Sequence, residues 1–286
     1  MLHLTPHGCA AWGFHFRFNS DDPALTAVVA RLYRDLPVAH GSLSTISARC
    51  DIASASPTYR VTITSADGVV EECGDGRGRD AVLELLCWEV NRRALWSAAD
   101  EVVLHAAVIG SASGAIALCA DSHGGKSTLA AAAARRGWRH LSDDMGLIDV
   151  DHALVTPYAR PLMLRAGGRA HLRAVAAPPP EHLAFFPDEW FMPASALGAS
   201  VGPDPLPLLA IGFLTFAACA SLEPLSQAQT LHDLTLHSAT VARQGGAGFT
   251  RLERLARTVS GVSVGLGAVD ATLDLLSDLL RPTAHR

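Results

Sequence analysis

The sequence predicts an α/β protein, and three observations carry that reading. Short apolar segments with β-branched residues alternate with segments of helical spacing. A glycine-rich loop, Ala120-Asp121-Ser122-His123-Gly124-Gly125-Lys126-Ser127, follows one such apolar segment and opens an alanine-rich helix. A further strand then runs into Asp143-Asp144, which completes a βαβ unit.

The composition allows such a fold. The 286 residues suffice for one large domain or two ordinary ones, and 49% hydrophobic against 18% charged residues provides a sizeable core. A formal net charge of −5 and a pI of about 6.2 give no general attraction to nucleic acid or to an anionic membrane. The six cysteines form no C-x-x-C pair, which points to a reducing compartment. The opening Met1-Leu2-His3-Leu4-Thr5-Pro6 lacks the charged and apolar regions of a secretory signal. The longest apolar run, Leu206 to Ala220, is broken by Pro207 and Gly212 and is too short for a bilayer span of roughly 20 residues. A cytoplasmic protein with no membrane and no nucleic-acid partner is expected. The oligomeric state stays open, a homo-oligomer included.

Along the chain, residues 1–100 read as an N-terminal α+β region and 101–286 as the nucleotide-binding domain. After Asp22-Pro23, Leu25, Val28, Val29, Leu32 and Leu36 fall at helical spacing, and Tyr59 to Thr64 alternates as a strand does. Gly74 to Gly78 reads as a flexible turn, with Asp80 capping a helix that runs to about Ala98. Val102 to Ile109 and Ala115 to Cys119 read as two apolar strands, and Ser127 to Arg136 as a helix stopped by Gly137. Trp138 to Leu141 returns as a strand, and a hairpin turns around Asp151-His152. Residues 176–207 read as a long surface excursion, a lid or partner-binding loop. A strand over 208–218, a helix opened by the Ser226-to-Gln229 capping box, a glycine turn at 245–248, a strand over Val262 to Leu266 and a helix capped by Asp270 complete the series.

The loop matches the G-x-x-x-x-G-K-[ST] pattern except that Ala120 replaces the first glycine. Gly124 and Gly125 let the backbone curl so that N–H groups face phosphate oxygens, and the helix N-terminus adds partial positive charge. Lys126 supplies a mobile cation for the β- and γ-phosphates, and Ser127 a hydroxyl for Mg²⁺. Asp121, Ser122, His123 and Thr128 complete the expected ATP-binding set, although the ring of His123 is given no chemistry of its own. Asp143 and Asp144 offer one carboxylate for the metal and one to accept a proton from an attacking hydroxyl. His105 lies inside an apolar strand, where a lone histidine is usually a satisfied core residue.

The stretch from about Leu104 to Asp151 resembles the kinase domain of HPr kinase/phosphorylase: His105 on a strand, Asp121 to Ser127, Arg136-Gly137 and then the aspartate pair. The later elements, including Leu222-Glu223-Pro224-Leu225-Ser226, look like the HPr-kinase-related proteins of peptide-modification systems, among them lasso-peptide kinases. The resemblance implies a P-loop kinase fold akin to the nucleotide domain of phosphoenolpyruvate carboxykinase. It also implies ATP-dependent phosphorylation of a serine hydroxyl on a peptide or small protein. By position, Lys126 and Ser127 would bind phosphate and magnesium, Asp143 would help hold the metal, Asp144 would be the general base, and His105 would tune it. The proline-glycine-arginine-asparagine segment that follows the aspartates in the bacterial enzyme is not found. Arg160 and Arg165, otherwise surface arginines on a strand, are the candidates for the extra phosphate-binding charge, with Arg243 behind them. A small-metabolite kinase and a non-catalytic ATP-binding regulatory module are the alternatives.

Overall fold

A computed structural model describes residues 3–4, 8–51, 57–98, 100–175, 183–186 and 189–281. These residues make a mixed α/β structure with three sheets and seven α-helices. Among them no helix is long and apolar enough to cross a membrane.

The first sheet joins β1 (His3–Leu4), β2 (Cys9–Ala11), β3 (Phe14–Ser20), β4 (Ser44–Asp51), β5 (Thr58–Thr64) and β6 (Val70–Arg77). Helix α1 (Pro23–Leu32) connects the parallel pair β3 and β4, and Asp22 caps it by accepting from the Ala24 N–H. Helix α2 (Gly78–Ser97) packs on β5 and β6 through Val82, Leu86 and Val90. Two expectations fail here. Gly74 and Gly76 lie within β6 rather than in a turn, because α2 folds back so tightly that a Cβ on Gly76 would come within 3.0 Å of the Val82 nitrogen. Asp80 sits in the first turn of α2, and the N-cap position is Arg77.

The main sheet is built from β7 (Val102–Leu104), β8 (Ala106–Ser111), β9 (Gly114–Cys119), β10 (Arg139–Ser142), β11 (Gly146–Asp149), β12 (Leu154–Thr156), β16 (Leu206–Phe216), β17 (Ser221–Pro224) and β18 (Ser260–Leu266). Strands β9, β16 and β18 run parallel side by side, with β8 antiparallel to β9 and β10 antiparallel to β8. Strand β10 is therefore parallel to β9, with β8 between them, and both end at the same edge. Helices α3 (Lys126–Arg135) and α7 (Val269–Leu279) cover one face; α5 (Gln227–Leu236) and α6 (Thr240–Thr258) cover the other. The Ser226–Gln229 capping box forms as the sequence predicts. Gly245, with φ +58° and ψ −132°, breaks the helical path within α6 (Thr240–Thr258), so the expected glycine turn begins between two helical segments, and Gly246 and Gly248 lie in the second. Asp270 lies in the first turn of α7, after an Ala268 cap.

The apolar segment 102–109 is two strands. It breaks at His105, whose N–H donates to the His237 carbonyl at 2.7 Å. Ser238 and Thr240 bond the Val103 backbone, so the α5–α6 junction closes the free edge of β7.

Residues 176–182 and 187–188 of the expected surface excursion lie outside the described residues, and of the remainder 183–186 and 189–192 are strands and 194–197 a 3₁₀ turn, with irregular chain from 198 to 205. β13 (Leu162–Leu164), β14 (Leu183–Phe186) and β15 (Glu189–Met192) form a small antiparallel sheet. Trp190 and Met192 join the core under α3, while Phe191, on the opposite face of β15, joins the core of the first sheet. Helix α4 (Ala166–Val175) follows β13 and packs on α3.

One buried group makes the fold pH-sensitive. His140 on β10 is 1% exposed, and its Nε2 lies 3.4 Å from the Arg160 carbonyl. That nitrogen must carry the proton, which leaves Nδ1 as a bare buried acceptor without a partner among the described residues. Burial pushes the imidazole down to about 4 from an ordinary 6.5. The unfolded chain therefore binds the proton first, and stability falls as pH drops from 6.5 towards 4, by roughly 3 kcal/mol at about 1.4 kcal/mol per unit. Urea unfolding at pH 7 and pH 4.5 should show this loss, and His140→Leu should flatten it; an equal slope in the variant would refute the assignment.

Candidate active site

The glycine-rich loop connects the end of β9 to α3. Gly125 is the N-cap of α3 with φ +89°, a conformation that favours glycine, and His123 also has positive φ, +67°. Gly124 is needed for space: a Cβ there would lie 2.5 Å from the Ala120 Cβ and 3.0 Å from the Asp121 carbonyl oxygen. Ala120 is not among the residues with positive φ, so its methyl strains no backbone and occupies the room that Gly124 leaves.

The Lys126 side chain is buried against the loop it follows. Its Nζ donates to the Ala120 carbonyl at 2.7 Å and the Asp121 carbonyl at 3.2 Å, and lies 2.9 Å from His105 Nε2. An ammonium has only donors, so His105 Nε2 must accept and Nδ1 must carry the ring proton. That Nδ1 is 3.1 Å from Asp144 Oδ1. Burial lowers the proton affinity of His105, with Asp144 pulling the other way, so the neutral ring is the form the site favours. Burial likewise lowers the Lys126 pKa, opposed by Asp144 and Asp143. Strand position alone reads His105 as a core residue; instead it breaks the strand, and 44% of its side chain is exposed.

Asp143 and Asp144 follow β10 with different surroundings. Asp143 is 1% exposed; both its oxygens accept from Ser127 Oγ, at 2.9 and 3.1 Å, and Oδ2 also accepts from the Met163 N–H at 3.0 Å. Burial raises its pKa, against the opposing Arg160. Asp144 faces the cleft with positive φ, +82°, a strained conformation that aspartate tolerates better than most residues. Its Oδ2 is 3.5 Å from Arg160 Nη1.

A cleft of about 470 Å³ runs over the loop. Ser122, His123, Gly124, Gly125, Lys126, Ser127, Thr128, His105, Asp144 and Arg165 line it. Asp121 contributes its backbone carbonyl, and its side chain is not part of the lining. Asp143 and Arg160 lie behind the wall; of the two, Asp143 reaches the cleft only through the Ser127 hydroxyl it orients. Arg165 bonds Glu189 at 2.8 Å and His123 Nε2 at 3.1 Å, which ties the loop to β15. Arg243 is elsewhere, bonded to the Ala98 carbonyl and lying over Trp96. Sequence reasoning missed Phe216, Leu266, Val269 and His171, which line the cleft from β16, β18, α7 and α4. Phe216 had one legible signal: it ends an apolar strand, and clefts in α/β sheets open at strand C-termini.

The arrangement joins a loop suited to anions with a carboxylate held on both sides. No protein-family model and no curated protein matches the chain.

Gly124→Ala should destabilise by about 1–3 kcal/mol through overpacking. Because the clash is chiefly between two methyl groups, the double change Ala120→Gly/Gly124→Ala should recover part of the loss in urea unfolding. Additive effects would show that the two residues do not share that space.

Proposed function

We propose that this chain is an ATP-dependent kinase of the HPr-kinase-like type, which transfers the γ-phosphoryl group to a serine or other hydroxyl of a peptide or small protein. The observation that carries the reading is the contact chain Asp144–His105–Lys126 at the mouth of a glycine-rich loop. The wider reading, a P-loop kinase domain akin to the nucleotide domain of phosphoenolpyruvate carboxykinase, is supported by the order β9–loop–α3–β10 and by the aspartate pair at the same sheet edge.

Each residue then has one task. Backbone N–H groups of the loop and of the first turn of α3 hold the phosphate oxygens, apart from that of Gly124, which donates to the Asp121 carbonyl at 3.0 Å. Lys126 leaves its carbonyl partners to neutralise charge there. The donor set fits magnesium, which prefers one or two protein oxygens beside phosphate and water. Ser127 Oγ would be the direct ligand, and Asp143, which accepts its hydrogen bond, would fix the direction of its lone pairs. Magnesium bound there would supply charge neutralisation. Asp144 takes the proton from the acceptor hydroxyl as that oxygen bonds to the γ-phosphorus and the bond to the β–γ bridging oxygen breaks, releasing ADP. His105 Nδ1–H and Arg160 keep the Asp144 carboxylate aimed at the cleft, and the strain at its backbone supports such a role.

Removing a general base typically costs 10²–10⁴-fold. With γ-labelled ATP, Mg²⁺ and a lysate of the source cell, wild-type protein should label a peptide or protein band, and Asp144→Asn should lose that label by about this factor. Lys126→Ala should weaken ATP binding itself. Full labelling by Asp144→Asn would overturn the base assignment. ATP binding that needs Lys126, with no transfer to any macromolecule, would favour a regulatory module or a small-metabolite acceptor.

A further inference from the structure

We infer that the apolar wall of the cleft, led by Phe216, is the platform on which the purine base of the nucleotide stacks, and that this wall holds adenine and guanine alike. The inference rests on the reading of the loop as a phosphate site. Phe216 is the last residue of β16, the parallel neighbour of β9, and β9 itself runs into the loop. Phe216 is 73% exposed, an unusual position for a large aromatic at the end of a central strand. It is also close to the loop: a Cβ built on Gly125 would lie 4.0 Å from the Phe216 ring. Leu266, from the end of β18, and Val269, from the first turn of α7, extend the apolar surface within the same cleft.

The cleft volume of about 470 Å³ lies in the range of pockets that hold drug-sized ligands and leaves room beyond a triphosphate. The loop and its lysine account for the phosphate end. The apolar wall faces the same space and offers a flat π surface, which is what a nucleobase needs for stacking. Its chemistry also sets the specificity. Distinguishing adenine from guanine requires donors and acceptors matched to the base edge, and an apolar pocket discriminates weakly. Phe216, Leu266, Gly267 and Val269 carry no polar side chain. The turn packed against Gly267 is Ala217-Ala218-Cys219-Ala220, again without amide, carboxylate or guanidinium. Arg165, a guanidinium lining the cleft, is engaged with Glu189 and His123.

The test uses the full-length protein with Mg²⁺ and three probes: ATP, GTP and inorganic tripolyphosphate. Isothermal titration should give ATP and GTP affinities within about fivefold of each other. Phe216→Ala should weaken both by about tenfold or more, within the range measured for loss of a stacking aromatic. It should leave tripolyphosphate binding unchanged, and Phe216→Trp should restore nucleotide affinity. Unchanged ATP binding by Phe216→Ala, or a hundredfold preference for one purine, would overturn the proposal. An equal loss on tripolyphosphate would also overturn it, by tying Phe216 to loop structure rather than to the base. If wild-type protein binds no tripolyphosphate, the phosphate reading of the loop fails first, and the base platform with it.

Discussion

The burial of one cation organises the cleft. Lys126 begins α3 and is 6% exposed, and a buried ammonium is tolerable only where its donors find acceptors. It finds them in the Ala120 and Asp121 carbonyls and in His105 Nε2. Each partner is constrained in return. A planar trans peptide points its N–H away from its C=O, so turning two carbonyls to the lysine turns the next two N–H groups the other way. The lone pair that His105 gives to Lys126 fixes its ring proton on Nδ1, and that proton faces Asp144. The loop conformation, the histidine tautomer and the aspartate orientation thus follow from a single desolvated charge.

The carboxylates divide along the same line. Asp143 and Asp144 are adjacent in sequence, yet one is sealed and the other faces the cleft. The difference comes from the backbone: the positive φ of Asp144 turns the chain so that consecutive side chains do not share an environment. Asp143 takes the protons of Ser127 and the Met163 N–H, and thereby pins the end of β10 to α3 and β13. Burial raises the Asp143 pKa, and the adjacent Asp144 charge pushes the same way. Sealing one against hydrogen-bond donors and placing the buried Arg160 near both eases that conflict.

How much of this was legible in the sequence depended on range. The loop, α3 and the aspartate pair are contiguous, so their spacing carried them, as did the Ser226–Gln229 capping box. The break at His105 was not legible, because the carbonyl that captures its N–H belongs to His237, far along the chain. The same holds for β15: four residues after a proline-rich stretch show no usable period, and only the two cores they join reveal them as a strand. Glycines misled in part. Gly76 serves the close packing of α2 on β6, and Gly74 takes φ +138° where the β5–β6 register shifts, although in sequence both read as a turn; Gly245 does turn the chain, but between two helical segments of α6. Among the arginines, the sequence could not rank Arg160 above Arg165; burial beside Asp144 sets Arg160 apart.

Arg160 also joins the two halves of the molecule. Its guanidinium is close to Asp144 on one side, and on the other it borders a small space walled by Tyr33, Cys87, Asn91 and Phe191. Two residues earlier, Tyr158 donates to Asn91 at 2.6 Å and packs on Trp12 at a ring separation of 5.0 Å. The first sheet and α2 therefore supply the low-dielectric wall that keeps this cation dry. Without that wall water would solvate the guanidinium, screen it, and weaken its hold on Asp144. The N-terminal region is in this sense part of the site, acting on the carboxylate through the burial of an arginine that it never replaces in the cleft.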